Sequence, residues 1–486
     1  MDNQNIKKQA VYSTIWKFME RILAQMVSLV VSIVIARILN PDDYSVVGIV
    51  TIFFTFANVL ISGGLNTALI QKKDADDEDF SSVLIISVLI SAVIYGVLYF
   101  CAPWIANAYH KPILVPVTRV MGLALPITAV KGIWCAYISS HLQFKKFFFS
   151  TIGGTAISAV VGIVMALQGF GPWALVAQQM SNTVIGTVVL MATTKIRIRF
   201  RIYWNKLAGL FRYGWKVFVS SVIGVIYTEI NPMIIGLKYS SVDLSYYTKG
   251  RSFPNLISST TTSTLSAVLF PVLSKCQDDR EMLLKGTRRF IQLASFVAFP
   301  LMLGFYALAE NFVIVILTEK WLPAIPYIRI FCLSCMLDMI HIGNCETIKA
   351  MGRSDIYLIM EIIKKSCYFI VIGLFVWLGD SPQMLAASFI VCALIATVVN
   401  SVPNRKLIGY KLRYQCYDLL VNLATSVVMC IAVSFVGRLP FGAFYLLLLQ
   451  VLAGVVVYIT INAVIRNSSF MYLLNALKKA VNRKAM

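Results

Sequence analysis

Charge is what this sequence is short of. Only 13% of its 486 residues are charged and 22 are acidic, while 58% are apolar and the mean hydropathy is +0.77. Soluble domains carry about a quarter charged residues to cover their surface, so a soluble globular protein is excluded. Histidine is scarcer still, at three residues, and no nucleotide or metal motif is present, which argues against an enzyme. The ten cysteines are scattered, mostly inside apolar runs, so a disulfide-stapled secreted domain does not fit either. Cys332, Cys335, His341 and Cys345 resemble a ligand set only on paper. At about 100° per residue, Cys335 falls near 300° from Cys332, and His341 and Cys345 near 180° and 220°, on another face. The sequence therefore calls for no metal and no cofactor.

What is present is a series of apolar runs of about 20 residues, the length that crosses a bilayer as helix. They predict an all-α polytopic membrane protein with about fourteen transmembrane helices. The expected spans are at about 12–39, 44–70, 81–106, 113–140, 148–168, 172–194, 207–237, 246–274, 288–317, 324–348, 355–378, 382–402, 416–436 and 440–465. Lys17, Glu20 and Arg21 interrupt the first run and no small-residue cleavage site follows, so no cleavable signal is expected.

The net charge of +21 would suggest nucleic acid in a soluble protein. Here the bases sit in short loops, without a recognition module, and nucleic acid is not expected as a partner. Thirty-three bases fall on the side holding both tails and the even-to-odd loops, against nine on the other. By the positive-inside rule both termini are cytoplasmic, in a multi-pass protein of the bacterial inner membrane.

The spans repeat. Trp16-Lys17 matches Trp215-Lys216, and polar positions Lys17, Arg21, Gln25, Ser28 and Ser32 match Lys216, Ser220, Gly224, Tyr227 and Asn231 with the same steps along one helix face. The stripe Thr51, Thr55, Asn58, Ser62 and Asn66 likewise matches Arg251, Asn255, Ser258, Thr262 and Ser266. Farther on, Pro116 to Arg119 pairs with Pro326 to Arg329, and Lys131 with His341. Two six-helix lobes related by a parallel repeat follow, plus two C-terminal helices. The expected limits are 1–203, 204–405 and 406–486, the last holding spans 13 and 14 and a cytoplasmic tail.

Small and hydroxyl residues also serve plain helix packing, but four stripes in repeat-related places point to a shared polar cavity. Its charge is one-sided, since no acidic residue occurs between Asp79 and Glu229. Lys17, Arg21, Lys131, Lys216 and Arg251 are the candidate binding cations, suited to an anionic cargo such as phosphate or pyrophosphate. Against this, Lys17, Arg21 and Lys216 could equally anchor span ends at the headgroups, and Arg251 could snorkel outward. Gln25, Ser28, Thr55, Asn58, Asn231, Asn255, Ser258 and Thr262 are the expected polar lining. Asp338, His341 and Glu361 are candidate ion carriers, although Asp338 and His341, one turn apart, could simply pair. On span 11, Glu361 is expected to pair with Lys365, leaving Lys364 unexplained. Pro232, Pro254 and Pro271 are expected to break spans 7 and 8, as a gate requires.

Several segments carry a family likeness: Lys7-Lys8-Gln9-Ala10 to Trp16, Ile35-Ala36-Arg37-Ile38-Leu39-Asn40-Pro41-Asp42-Asp43-Tyr44, Gly63-Gly64-Leu65, and Ser245-Tyr246-Tyr247. On these the chain resembles a polysaccharide-exporter flippase of the Wzx type, in the multidrug/oligosaccharidyl-lipid/polysaccharide superfamily. The resemblance implies two facing six-helix lobes. It also implies export of undecaprenyl-pyrophosphate-linked oligosaccharide repeat units, for lipopolysaccharide O-antigen, capsule or exopolysaccharide, by alternating access through a cationic central cavity. The implied partners are that lipid-linked substrate, membrane lipids and other polysaccharide assembly proteins. Of the family's cationic cavity residues on the first, second and eighth helices, only Arg21 and Arg251 have counterparts; the second helix has Thr51. A drug/cation antiporter of the same superfamily would want acidic residues in spans 2 to 6, which hold none after Asp79. A membrane enzyme of polysaccharide assembly would want a large external loop with catalytic groups, and every external loop is short.

Overall fold

The computed structural model describes residues 3–72, 74–141, 143–199, 201–277 and 279–475, with the side chains of 3–15, 17, 18, 267, 268 and 271 excepted. Among these residues every regular element is a helix. By packing the chain divides into two compact units, Met1–Ser245 and Tyr246–Met486.

The first unit contains α1 (Asn3–Ile38), α2 (Pro41–Ser62), α3 (Leu65–Gln71), α4 (Asp77–Ala108), α5 (Leu114–Gly122), α6 (Ala124–Ser140), α7 (Phe144–Leu167), α8 (Pro172–Thr193) and α9 (Trp204–Lys238). α10 (Ser241–Ser274) leads from one unit into the other. The second contains α11 (Arg280–Phe312), α12 (Ile325–Met336), α13 (Asp338–Ala350), α14 (Ser354–Leu378), α15 (Pro382–Leu407), α16 (Leu412–Val436) and α17 (Ala443–Val464). Among the described residues, twelve helical segments are long and apolar enough to cross a membrane. α14 has the length but is not among them, because every 18-residue stretch of it holds Glu361, Lys364 and Lys365.

Expected spans 2, 4 and 10 are each divided in two. Gly63 and Gly64, at φ +50° and +71°, separate α2 from α3. Left-handed backbone suits glycine, and here the position is also crowded: a Cβ on Gly64 would lie 2.1 Å from the Gly214 carbonyl oxygen of α9. Positive φ alone costs a branched residue about 1–3 kcal/mol. Gly64→Ala is therefore expected to lose most of the folded protein, read as a fall in melting temperature and yield in nanodiscs. Pro126, with no N–H to donate back to Gly122, explains the α5–α6 division.

Pro232, Pro254 and Pro271 do not break their helices: α9 and α10 run through them. A proline removes one backbone bond, and in a packed membrane helix neighbouring groups re-satisfy what it frees.

The family-like Asn40-Pro41-Asp42-Asp43 segment starts α2. Pro41 occupies the first turn, where a missing N–H costs nothing, and the Asp43 carboxylate accepts from the Asn40 amide at 3.0 Å. Lys111 bridges to Asp42 and donates to Ser45 Oγ at 2.6 Å. These residues build a helix start and a loop clasp. A second clasp lies at the start of α4, where buried Asp79 pairs with Lys72 at 2.5 Å and Glu78 with Arg199 at 2.9 Å and Lys206 at 2.6 Å. Lys206 also bonds Asp76, whose carboxyl it holds down at about 2.

α16 and α17 pack into the second unit through polar ties as well as apolar contact. Asn422 donates to Ser295 Oγ at 2.8 Å, Asn311 to Gln450 at 2.9 Å, and Tyr458 to the Phe296 carbonyl at 2.7 Å.

Candidate functional site

In the first unit, α1 turns its polar stripe toward a cavity of about 540 Å³. Arg21, Gln25 and Ser28 line it with Glu20 and Ala24, Thr155 of α7 and Asn182 of α8. Arg21 is exposed and makes no ion pair among the described residues. Glu20 is held instead by Thr151, which donates to it at 2.9 Å. The side chain of Lys17 lies outside the described residues.

Lys131 of α6 is half-buried and likewise has no ion pair among the described residues. Its ammonium lies against α8 at Gly186, where an added Cβ would come within 3.1 Å of Nζ. Gly186 is one turn beyond Asn182. Lys131 and Glu20 are both near enough to Cys135 to act on its thiol. One cluster thus gathers Arg21, Gln25 and Ser28 with Glu20, Thr155 and Asn182, and Lys131 reaches α8 one turn from it. An unpaired cation away from water is stable only beside an anion or a dipole, so this cluster suits a polar, anionic guest.

On α2 the stripe runs from exposed Thr51 to half-buried Thr55 and Asn58. Thr51 and Thr55 bond their own helix carbonyls, at 2.7 and 2.9 Å. Asn66, now on α3, packs on α6 at Gly132, beside Lys131. On α9, Lys216 is exposed, whereas Asn231 is fully buried.

In the second unit, Arg251 lies over the rings of Phe331 and Phe389, with its guanidinium carbon 5.7 and 5.2 Å from their centres. One turn on, Asn255 accepts from the Cys335 thiol at 3.4 Å, and buried Ser258 donates to Asp338 at 2.5 Å. The hydroxyls of Thr260, Thr261, Thr262 and Thr264 bond carbonyls of α10 itself, at 2.8 to 3.1 Å. In an apolar setting a hydroxyl satisfies itself on the preceding turn, so the run is less of a lining than its composition suggests.

Asp338 and His341 approach each other, 3.7 Å apart. Glu361, on α14, pairs with Lys364 at 2.5 Å, correcting the expected pairing with Lys365. A three-residue step places both groups on one face as readily as four.

Sequence reading missed Thr155 and Asn182, although Gln178-Asn182-Gly186 is a one-turn series on span 6 that could have flagged them. It also missed Lys249, which is buried with its ammonium 5.7 Å from the Trp321 ring. No cluster of three or more metal-ligating side chains occurs among the described residues.

Residues 34–326 match the family model described as polysaccharide biosynthesis protein. The succinoglycan biosynthesis transport protein ExoT of Rhizobium meliloti is 24% identical over 302 residues, 62% of this chain and 61% of that one. The lipopolysaccharide biosynthesis protein WzxC of Escherichia coli is 20% identical over 76% of each chain, and the teichuronic acid biosynthesis protein TuaB of Bacillus subtilis 22% over 74% of each. Among solved structures, the lipid II flippase MurJ in an inward closed conformation superposes with a TM-score of 0.74 at 14% identity, covering 94% of this chain and 99% of its own. An inward-facing multidrug resistance transporter of the MATE family gives 0.63 at 13% identity, over 79% of this chain and 94% of its own. The chain shares its fold with these transporters, and on the match over residues 34–326 it belongs to the polysaccharide biosynthesis protein family, the exporter group that its sequence segments resemble.

Proposed function

We propose that the protein flips undecaprenyl-pyrophosphate-linked oligosaccharide repeat units across the bacterial inner membrane, from the cytoplasmic to the outer leaflet, by alternating access between two repeat-related lobes. The observation that carries this reading is the cavity of α1, α7 and α8, where Arg21 stands without an ion pair among the described residues, with Lys131 of α6, likewise without one, against α8 one turn from Asn182. Amides and hydroxyls around them suit a glycan, and the cations suit its pyrophosphate. Relatives named for succinoglycan transport and lipopolysaccharide biosynthesis support it. The drug antiporter shares the fold but lacks its basis in residues 80–228, which contain no acid. Transport, not catalysis, is the activity; the cargo lipid and polysaccharide assembly proteins are the partners.

The lobe limits at 203 and 405, the role of Lys17 and Lys216 as further anion contacts, and the cytoplasmic placement of both termini belong to the same proposal. Reporter fusions after Lys73, Arg201, Lys285 and Arg413 are expected to read cytoplasmic, and fusions at Gly171 and Asp380 external. A periplasmic signal at Arg201 overturns the orientation. The activity itself is tested in proteoliposomes: lipid-linked oligosaccharide should become accessible to a glycosidase on the far side only when the protein is present.

A further inference from the structure

The second unit contains a file of buried polar side chains running from Asp338 to its Arg288 end. His341 Nε2 lies 3.1 Å from the Ala393 carbonyl, which can only accept, and 2.9 Å from Thr397 Oγ1, whose own proton goes to that carbonyl at 2.8 Å. Nε2 is therefore the protonated nitrogen, and Nδ1 turns its lone pair to Asp338 Oδ1, 3.7 Å away. Ser258 occupies Asp338 Oδ2. The pair is not sealed, since Asp338 keeps 38% of its side chain exposed and His341 17%.

Beyond Thr397 the file continues. Ser401 donates to Gln415 at 2.9 Å, Asn344 donates to Gln415 at 2.9 Å, and Asn404 donates to Asn344 at 2.7 Å. Gln415 reaches the Tyr410 carbonyl, and the Tyr410 hydroxyl donates to Asp418 at 2.8 Å. Arg288, half-exposed, closes the file with two bonds of 2.6 Å to Asp418. In α15, between Thr397 and Asn404, Asn400 is buried with neither amide atom bonded among the described residues. Buried amides are otherwise nearly always satisfied, by protein or by water, so this position marks a place for water. Asn404 Oδ1 is a second such atom.

We infer that Asp338 and His341 form a proton-binding pair, served from the Arg288 end of the second unit by a hydrated file through Thr397, Asn400, Ser401, Asn344 and Gln415. A proton taken up sits on His341 Nδ1, against the Asp338 carboxylate. The groups facing the pair are Cys335 on α12, Arg251 on α10, and the ion-paired Glu361 and Lys364 on α14. Among the described residues α15 offers it Thr397 and a carbonyl. The inference goes beyond the transport reading and does not depend on the cargo.

The three histidines make the test direct. In the full chain, ¹⁵N-histidine labelled in nanodiscs, His341 is assigned by loss of its signal in His341→Asn. The native signal should be the Nε2–H tautomer, gaining its proton on Nδ1, and Asp338→Asn should lower that proton affinity by about tenfold. An Nδ1–H tautomer, or an unchanged titration in Asp338→Asn, overturns the pair. For the file, Asn400→Cys in a chain whose native cysteines are replaced should react with a small water-soluble thiol reagent added at the Arg288 face. The rate should exceed by about tenfold that of Val398→Cys on the exposed apolar side, because thiolate forms only where water reaches. Equal rates overturn the file.

Discussion

Arg21→Glu, Lys131→Glu and Arg251→Glu are each expected to reduce export of the lipid-linked glycan by about a hundredfold, and the alanine variants by about tenfold, at unchanged protein levels in the membrane. Removing one partner of a fully desolvated charge pair costs about 2–5 kcal/mol; Arg21 is exposed and Lys131 half-buried, so each loses less, and the tenfold expected corresponds to about 1.4 kcal/mol. Reversal adds repulsion: at about 6 Å and an effective dielectric of 20, two unit charges interact by about 3 kcal/mol. Arg21 and Lys131 have no ion pair among the described residues to lose, so these changes act on the guest and not on the fold. Arg251 differs, because its guanidinium also lies over two aromatic rings. Arg251→Lys keeps the charge but loses the planar stacking, and it should fall between the native protein and the alanine variant. Full export by all three glutamate variants would show that the bases merely anchor helices at the interface.

The sequence carried the all-helical membrane architecture because the bilayer demands it: among the described residues twelve helical segments, against about fourteen expected, are long and apolar enough to cross. Part of the site was legible for a related reason. A polar residue is so costly within an apolar run that the four- and three-residue steps of Arg21, Gln25 and Ser28 single out one face, and that face lines the cavity. What stayed hidden depends on which helices are neighbours. Nothing in the span containing Thr155 announces that it faces Glu20, more than a hundred residues away. The hydroxyls of α10 looked like a lining because composition does not reveal that most of them bond their own carbonyls. Prolines in α9 and α10 looked like breaks because the rule from soluble helices ignores how packed neighbours re-satisfy the backbone. The Asp338–His341 approach was visible in spacing, but the carbonyl that fixes the histidine tautomer comes from α15, 52 residues on.

Flipping in proteoliposomes is expected to accelerate under a potential that is negative on the protein's cytoplasmic face, with no proton or sodium gradient imposed. A pyrophosphate diester carries about two negative charges, and each moved outward down such a potential gains about 2.3 kcal/mol per 100 mV, or roughly 5 kcal/mol for the pair. That is enough to drive net export by more than a thousandfold in concentration ratio, at about 1.4 kcal/mol per tenfold. A cationic cavity works with the field: it draws the headgroup in from the negative side, and the field favours its departure on the other. Over a full cycle the carrier's own cations return to where they started, so the net work of the field is that done on the two negative charges of the cargo. Proton uptake at Asp338 and His341 would modulate this by adding positive charge near Arg251, without being its source of energy. The measurement is the initial flipping rate against imposed potential, in native protein and in Asp338→Asn. A rate that ignores the potential, yet collapses when a proton gradient is removed and is lost in Asp338→Asn, would move the driving force from the cargo's own charge to the proton pair.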